Sequence, residues 1–208
     1  MKVSKDVTLR NDILMGNAIV DMYAKCGVPA KAQEVFDDLP VQDVVSWNAL
    51  ISGYAQLGKD RGVVVLFDKM IGEGIKPDMV TFTIVLTTCS HSGLLDKGQM
   101  YFQTMRTYFG IVPTLEHYTC MVDLFSRAAQ FDKAITLIRE IATLECLPMW
   151  TALLGACQKW GNLMLGKLVF ERIIGLDEDN TGAYVCMSNI YAAAVMEDGE
   201  LVGVENEL

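Results

Sequence analysis

The sequence lacks the features of a membrane-spanning or a secreted protein. Charged residues or glycine interrupt every apolar run before it reaches the roughly 20 residues that cross a bilayer, although 51% of the residues are hydrophobic. The chain begins with neither the apolar segment of a secretory signal nor the Ser- and Arg-rich, acid-poor composition of an organelle transit peptide. We therefore expect a soluble helical protein with no membrane partner, which either stays in the cytosol or is a fragment.

The cysteines, prolines and glycines also do not show the patterns of a disulfide-linked, a multidomain or a nucleotide-binding protein. The six cysteines never form a C-x-x-C pair, and a chain this apolar needs no disulfide staples, so we expect reduced thiols in the core. Five prolines and no long polar linker leave no domain boundary visible in the composition. The stretch GKDRG at 58–62 is not a phosphate loop, because it lacks the G-x-x-x-x-G-K-[ST] arrangement.

Basic residues are scarce, which at first sight argues against a nucleic-acid partner. The net charge is −9, whereas phosphate binding is driven by Lys and Arg. The acidic excess is local, however. Residues 171–208 hold nine acids and one base and carry −8, which leaves −1 for the first 170 residues. The charge therefore does not exclude RNA binding along those 170 residues.

What the sequence does contain is an internal repeat with an uneven period. Equivalent positions recur at spacings of 31, 35, 36, 32 and 34 residues, and they are Asn17, Asn48, Thr83, Thr119, Thr151 and Val185. Ten residues after each, four of six units have glycine, where a first helix would end in a left-handed cap; these positions are Gly27, Gly58, Gly93, Ala129, Gly161 and Val195. The pattern predicts a series of helix-turn-helix hairpins.

The second helix of each predicted hairpin has a small residue one turn before a large one. The large residues are Phe36, Phe67, Phe102, Ile138 and Phe170, and the residues four positions earlier are Ala32, Val63, Gly98, Ala134 and Gly166. This arrangement lets neighbouring helices approach closely. Such hairpins are not stable alone and stack on one another, so the fold expected is all-α, a right-handed α-solenoid of stacked helix-turn-helix repeats.

Several segments resemble pentatricopeptide repeat proteins of plants. They are GNAIVDMYAKCG (16–27), VVSWNALISGYAQLG (44–58), GIKPD (74–78), LEHYTCMVDLFSRA (115–128) and WTALLGACQKWGN (150–162). The alternating repeat lengths are similar to the subclass that mixes short, standard and long repeats, and the resemblance extends over roughly residues 7–194.

The resemblance implies a division of the chain into repeats. Residues 1–12 would end a long repeat, 13–43 form a short one, 44–78 a standard one, 79–114 a long one, 115–146 a short one, 147–180 a first E motif, and 181–208 a partial second E motif with an acidic divergent tail. After residue 194 the sequence VMEDGELVGVENEL loses the helix pattern and departs from the family, which would show Gly, Arg, Trp and a basic helix. We therefore expect the second E motif to be half formed.

The family binds single-stranded RNA one base per repeat, through the fifth and last residues of each repeat. These map here to four pairs: Asn17 with Asp43, Asn48 with Asp78, Thr83 with Thr114, and Thr119 with Cys146. The first two pairs match the Asn/Asp combination that the family associates with uracil. An Asn amide both donates to and accepts from a uracil edge, and an Asp carboxylate holds the Asn rotamer directly or through water.

A structural alternative stands beside this interpretation of the pairs, and two positions fit the family pattern less well. Taken singly, Asn48 would cap a helix and Asp78 would end a turn after Pro77, but equal offsets in adjacent repeats favour base reading. The family's rule is weak for the long repeat that contains Thr83, and Cys146 departs from the Asn or Asp expected at its position.

No catalytic or metal-binding residue is predicted. Many relatives end in a cytidine deaminase domain, whose zinc site needs H-x-E and a later P-C-x-x-C, and neither pattern is present. We expect His91 in a turn between helices and His117 at the start of a first helix, and neither on zinc. The chain is therefore not expected to be an enzyme or to hold a cofactor.

The resemblance implies a specificity factor for organellar RNA processing, above all C-to-U editing. Single-stranded RNA, not DNA, would be its partner, and a deaminase-domain protein and editing accessory proteins would act in trans on the E motifs. The location would be a mitochondrion or a chloroplast, although no targeting peptide is expected in this chain.

The alternative function is a protein-binding helical-repeat scaffold with a Met-rich apolar face. That face would contain Met100, Met105, Met121 and Met149. RNA binding requires instead that the fifth residues, Asn17, Asn48, Thr83 and Thr119, line one groove with Lys25 or Lys59 nearby, and burial or scattering of these residues favours the scaffold.

Overall fold

The computed structural model describes residues 13–140 and 147–205, and the side chains of 13–139 and 147–194. All regular structure in these ranges is helical. The helices are α1 Ile13–Lys25, α2 Pro29–Asp37, α3 Val44–Gln56, α4 Asp60–Gly72, α5 Met79–Ser92, α6 Leu95–Thr107, α7 Leu115–Arg127, α8 Phe131–Glu140, α9 Leu147–Lys159, α10 Leu163–Leu176 and α11 Thr181–Glu205.

The first ten helices form five hairpins whose turns have the predicted left-handed residue. Gly27, Gly58, Gly93 and Gly161 have φ between 63° and 75°. Ala129 adopts the same conformation at φ 57°, at a cost of about 1 kcal/mol because its Cβ crowds the backbone. In each turn the next amide closes the helix, as where Val28 N–H donates to the Tyr23 carbonyl at 3.0 Å. The predicted helix ends are therefore confirmed, including the one without glycine.

The chain divides into two compact units, Met1–His117 and Tyr118–Leu208. In the first unit α1 packs against α3, and α3 packs against α5. The approach of α1 to α3 depends on Gly53, because a Cβ there would overlap Ala24. The first helices of these three hairpins thus lie side by side, which places equivalent residues of adjacent hairpins next to one another.

Aromatic rings form the core of the first unit. Phe36 and Trp47 are fully buried and meet edge to face with ring centroids 4.7 Å apart. Phe67 continues the contact toward the next hairpin, at 5.6 Å from Phe82 and 4.9 Å from Tyr101. Each edge-to-face pair contributes about 0.5–1.5 kcal/mol beyond the area it buries. The large residues of the predicted helix–helix contacts therefore join successive hairpins.

The second unit has its own aliphatic core. Leu153 and Cys157 of α9 and Ile173 of α10 are fully buried. Helix α10 comes close to α11 at Gly166, where an added Cβ would lie 3.1 Å from Ile190 Cδ1. The small residue predicted at this position is therefore needed for close helix packing.

The end of the chain differs from the sequence-based expectation. The segment after residue 194 was predicted to lose the helix pattern, but α11 continues to Glu205. The reason lies at position 195, where the other hairpins have a residue with positive φ and this one has a valine, so no left-handed cap ends the helix. None of the described helices is both long enough and apolar enough to cross a membrane.

Two smaller expectations also need correction. His91 lies in the last turn of α5, not in the turn that follows. Cys26 is exposed rather than in the core, whereas Cys89 and Cys157 are buried and Cys120 and Cys186 are half-buried. All five are free thiols, and Cys146 lies outside the described residues.

Candidate nucleic-acid interface

The two aspartates at the ends of the first and second hairpins start the helices that follow them. Asp43 caps α3 by accepting from the Ser46 N–H at 2.9 Å, and Asp78 caps α5 by accepting from the Thr81 N–H at 2.9 Å. An N-cap carboxylate satisfies a helix donor that has no partner in the helix. Because each carboxylate caps the next helix, it is held beside the first helix of the preceding hairpin, which is α1 for Asp43 and α3 for Asp78.

The same carboxylates hold the predicted base-reading asparagines. Asn17 Nδ2 donates to Asp43 Oδ1 at 3.3 Å, and Asn48 Nδ2 donates to Asp78 Oδ1 at 3.0 Å. Both pairs are thus brought together directly, without an intervening water. The alternative that Asn48 caps a helix is wrong, because Asn48 lies inside α3 and the caps are Asp43 and Asp78. A contact within each pair does not test base reading, so the base-reading role stays a prediction.

Thr83 and Thr114 are joined in a different way, through His117. The His117 ring is 1% exposed. Its Nδ1 lies 3.0 Å from the Thr114 backbone nitrogen and 2.7 Å from Thr114 Oγ1, and its Nε2 lies 3.2 Å from Thr83 Oγ1 and 2.9 Å from the Met79 carbonyl. As expected, His117 is in the first turn of a first helix. Its place between two predicted reading residues was not foreseen.

The fourth predicted pair is described only in part. Thr119 is half-buried in α7, and Cys146 lies outside the described residues. The fifth residues also differ in exposure, because Asn17 is only 7% exposed whereas Asn48 and Thr83 are half-buried. Burial of Asn17 is the feature that was expected of the scaffold alternative.

The pKa of the Asp78 carboxyl is below its ordinary value of 3.8. Burial by itself would raise this pKa, because it penalises the charged form. Hydrogen bonds outweigh the burial: the Thr81 N–H, the Asn48 amide and the Thr81 hydroxyl all favour the carboxylate. Asp78 is therefore an anion that accepts from two helices at neutral pH.

A groove of about 610 Å³ runs between α1, α3 and the start of α5. Its polar lining residues are Asn17, Asp21, Asn48, Ser52 and Asp78, and the remaining lining is aliphatic. The exposed aliphatic residues are Leu14, Val45 and Val80, at 81%, 55% and 55% exposure. An apolar groove with a few convergent polar groups is the usual form of a ligand site.

These aliphatic residues were not among the predicted site residues. Leu14, Val45 and Val80 each stand three residues before the fifth residue of a first helix. In a helix, residues three apart share a face, so each one flanks the predicted reading residue on its own helix. The signal that could have found them is an apolar residue at a constant offset where a soluble helix would expose a polar one.

Cations in the last turns of α1 and α7 are paired with acids one helical turn earlier. Lys25 Nζ is 2.7 Å from Asp21 Oδ2 in α1, and Asp21 itself lines the groove. In the second unit Arg127 Nε is 2.8 Å from Asp123 Oδ2 in α7. Lys59, the other cation expected near the groove, is the N-cap residue of α4, and its Nζ lies 5.7 Å from the Tyr54 ring centroid.

Among the described residues, no three or more His, Cys, Asp or Glu side chains are grouped so that they could hold a metal ion. His91 and His117, the two histidines of the chain, lie on different helices, and His117 is committed to the hydrogen bonds given above.

The hairpin geometry agrees with matches to models of one repeat family. A model of the PPR repeat family matches residues 42–91, and a model of the single PPR repeat matches residues 17–44, 80–108 and 116–146. Together these matches cover more than half of the chain. The chain belongs to the pentatricopeptide repeat family. Its subclass, its E motifs and the repeat boundaries remain predictions.

Similar pentatricopeptide repeat-containing proteins occur in Arabidopsis thaliana. One is 42% identical over 181 residues, which are 87% of this chain and 24% of the relative. A second, named mitochondrial, is 42% identical and covers 87% of this chain and 29% of its own length. A third is 41% identical over 95% of this chain and 33% of its own length. The chain thus spans about a quarter to a third of these relatives.

Solved pentatricopeptide repeat structures share the fold. The maize protein PPR10 superimposes with a TM-score of 0.70 over 94% of this chain and 29% of that chain, at 20% identity. The PPR domain of Arabidopsis thaliana protein-only RNase P 1, solved with tRNA, gives a TM-score of 0.66 over 84% of this chain and 96% of that domain, at 20% identity. The predicted all-α solenoid of helix-turn-helix repeats is confirmed.

Proposed function

We propose that the chain binds single-stranded RNA and that the base-reading contacts are made in the groove of the first unit. The observation that carries this proposal is the Asn48–Asp78 pair, which directs an oriented amide into a groove with exposed aliphatic walls. Polar reading residues and apolar flanks are what an unstacked base requires, because its edge needs hydrogen bonds and its two faces need cover from water. Structures of PPR10 with an 18-nt psaJ RNA element agree with this class of ligand.

The hydrogen-bond pattern at Asn48 suits uracil. Asp78 takes one of the two Nδ2 protons, so the second Nδ2 proton and a lone pair of Oδ1 are available to a ligand. Uracil offers a carbonyl acceptor beside the N3–H donor, which is the complement of that amide edge. Val45 and Val80 flank this position, and apolar contact with both faces of the ring would hold it in place.

Affinity should be modest because the groove gains little from counterion release. Lys25 is already paired with Asp21, and this ion pair must be weakened before the cation contacts a phosphate. Contacts to bases are worth roughly 1–3 kcal/mol each. Binding therefore depends on several bases in register, and we expect only a shallow dependence of affinity on salt.

The biological role that follows from the sequence resemblance is that of a specificity factor for organellar RNA processing. C-to-U editing with a deaminase supplied in trans is the process we propose, with residues 147–205 as the docking element. Relatives named mitochondrial support an organellar location. The protein-binding scaffold is less well supported, since Met105, Met121 and Met149 are buried and only Met100 of the proposed face is exposed.

Replacing Asn48 tests the RNA-binding proposal. Parent and Asn48→Thr proteins would be used to select from a pool of short single-stranded RNAs randomised at every base, at low salt. The parent should enrich uracil at the base that faces Asn48, and the family rule expects Asn48→Thr to shift that base toward guanine. The control is Asn189→Thr, an exposed asparagine of α11, which should leave the selected sequences unchanged. Identical base rankings for parent and Asn48→Thr would contradict the proposal.

A further inference from the structure

The third residue of a first helix contacts the predicted reading pair of the preceding hairpin. In α5 this residue is Thr81, which is fully buried and whose Oγ1 lies 2.6 Å from Asn48 Oδ1 and 2.9 Å from Asp78 Oδ1. In α7 it is His117, which contacts both Thr83 and Thr114. We call these two positions the third residues.

Thr81 fixes which way the Asn48 amide faces. Its hydroxyl carries one proton, which Asn48 Oδ1 and Asp78 Oδ1 share, and the shorter contact is the one to Asn48 Oδ1. Asp78 accepts from Nδ2 on the opposite side. Rotating the amide by half a turn would set Oδ1 against the Asp78 carboxylate and remove the nearer of the two acceptors for Thr81, so both contacts favour the same orientation.

The orientation of the amide decides which pyrimidine it fits. Uracil presents the N3–H donor between two carbonyl acceptors, whereas cytosine presents the N3 acceptor beside an amino donor. An amide with its N–H and C=O in fixed places complements one of these edges, and the other edge requires the amide to be turned over. Protein–RNA recognition reads these Watson–Crick edges, so an amide held from both sides discriminates uracil from cytosine better than one held from one side.

The first pair lacks the second contact. The equivalent third residue is Ser46, whose Oγ donates back to the Asp43 carbonyl at 2.8 Å instead of reaching Asn17. Asn17 Oδ1 is buried and has no hydrogen-bond partner among the described residues. Within the described residues, the 3.3 Å contact to Asp43 alone orients the Asn17 amide, so the two Asn/Asp pairs differ although their sequences match.

His117 shows the same relation with other chemistry. The Thr114 N–H can only donate, so Nδ1 of His117 is an acceptor, and the Met79 carbonyl can only accept, so Nε2 carries the proton. Thr83 Oγ1 donates to the same Met79 carbonyl at 3.0 Å. Because His117 Nε2 carries a proton, the Thr83 hydroxyl cannot donate to it and donates to Met79 instead, so toward a base Thr83 can only accept a hydrogen bond. The third residue thus again determines whether a reading residue donates or accepts.

We propose that Thr81 is a positioning residue that sets uracil-over-cytosine discrimination at Asn48, acting from the repeat after the one whose base it controls. This inference rests on the proposed RNA-binding function. It adds Thr81 to the Asn48 reading pair, and it assigns Asn17, whose third residue Ser46 makes no contact with the amide, the weaker discrimination between the pyrimidines.

The test compares Thr81→Val, which removes the hydroxyl at nearly constant shape, with Thr81→Ser, which retains it. Affinity would be measured for two sets of four otherwise identical single-stranded RNAs. One set differs only at the base assigned to Asn48 by the Asn48→Thr shift, and the other differs only at the adjacent base assigned to Asn17. Thr81→Val should reduce the uracil-to-cytosine affinity ratio roughly three- to tenfold, the worth of one hydrogen bond. Thr81→Ser should restore the ratio. Ser46→Ala, which loses an equivalent cap hydroxyl without contact to Asn17, should leave the ratio at the Asn17 base unchanged.

The outcomes separate this inference from the proposed function. If the parent shows no base preference at any position, RNA reading itself is wrong. If the parent prefers uracil at the Asn48 base and Thr81→Val has the same uracil-to-cytosine ratio, the positioning role is wrong and RNA reading stands. The parent also supplies a measurement that needs no variant at position 81: its ratio should be larger at the Asn48 base than at the Asn17 base, and equal ratios would overturn the inference.

Discussion

The Asn48–Asp78 and Asn17–Asp43 pairs have the same residues at equivalent positions and yet differ in structure. At Asn48 both ends of the amide have a partner, and the side chain is half-buried beside the groove. At Asn17 one end has a longer contact, the other end has none among the described residues, and the side chain is 7% exposed. A two-residue rule for reading bases therefore omits part of what determines the geometry of the site.

The cause of the difference is one side chain in the following helix. Thr81 and Ser46 both stand at the third position of a first helix, and both have a hydroxyl. The Thr81 hydroxyl points at the preceding asparagine, whereas the Ser46 hydroxyl turns to the backbone carbonyl of its own cap residue. Serine and threonine hydroxyls commonly make such local backbone contacts, and here this choice decides whether a second contact to the amide forms.

Removing each aspartate should show the largest contrast between the two pairs. Asp43→Ala loses a helix cap and a long contact to Asn17, and we expect it to lower the free energy of unfolding by about 1–2 kcal/mol. Asp78→Ala also leaves the Asn48 amide and the Thr81 hydroxyl with fewer partners, so we expect about 2–4 kcal/mol. Chemical denaturation of the two variants and the parent measures both values. Equal losses would mean that the extra contacts at Asp78 add nothing.

The sequence predicted the hairpins well because their signals are local. The left-handed turn residues and the small residues at close helix contacts both follow from offsets within one repeat, whereas the capping role of Asp43 and Asp78 was not predicted. Even the pairing of Asn48 with Asp78 follows, since the two residues lie at the two ends of one repeat and the resemblance connects them.

Other features of the site could not be predicted because they depend on side-chain direction. The sequence has a hydroxyl at both Ser46 and Thr81 and does not indicate where either one points. The burial of His117 between Thr83 and Thr114 likewise requires the positions of two repeats. The continuation of α11 was missed for a different reason: the departure of VMEDGELVGVENEL from the family pattern was interpreted as the loss of a helix, whereas the valine at position 195 leaves the helix without the cap that would end it.

The asparagines themselves should show a smaller contrast. Asn48→Ala removes the contacts to Asp78 and Thr81, and we expect a loss of about 1–2 kcal/mol in the free energy of unfolding. Asn17→Ala removes one long contact but also a buried carbonyl oxygen that has no partner, so we expect a change within about 0.5 kcal/mol in either direction. Denaturation under the same conditions measures both. A loss of more than about 1 kcal/mol at Asn17 would indicate that its oxygen has a partner in solution.

The smallest expected effect is a dependence of stability on pH that involves Asp78. Its folded-state pKa is lowered from 3.8, with burial opposed by hydrogen bonds from Thr81 and Asn48. A carboxyl whose pKa is lower in the folded state stabilises the fold above its unfolded-state pKa, and this contribution is lost as the pH falls through the folded-state value. The contribution from Asp78 should therefore be complete at neutral pH and should decline only below the ordinary pKa of 3.8.

Asp78→Asn isolates this contribution because an asparagine still caps a helix but does not titrate in this range. The difference in free energy of unfolding between the parent and Asp78→Asn should be constant from neutral pH down to about pH 5, and it should shrink in acid. In a Thr81→Val background the decline should begin at a higher pH, because one of the hydrogen bonds that favour the carboxylate is gone. Denaturation curves at several pH values measure the difference in both backgrounds. A parent-to-variant difference that stays the same down to the acid limit of folding would show that Asp78 is not held as an anion by its partners, and the contrast between the two pairs would then rest on distances alone.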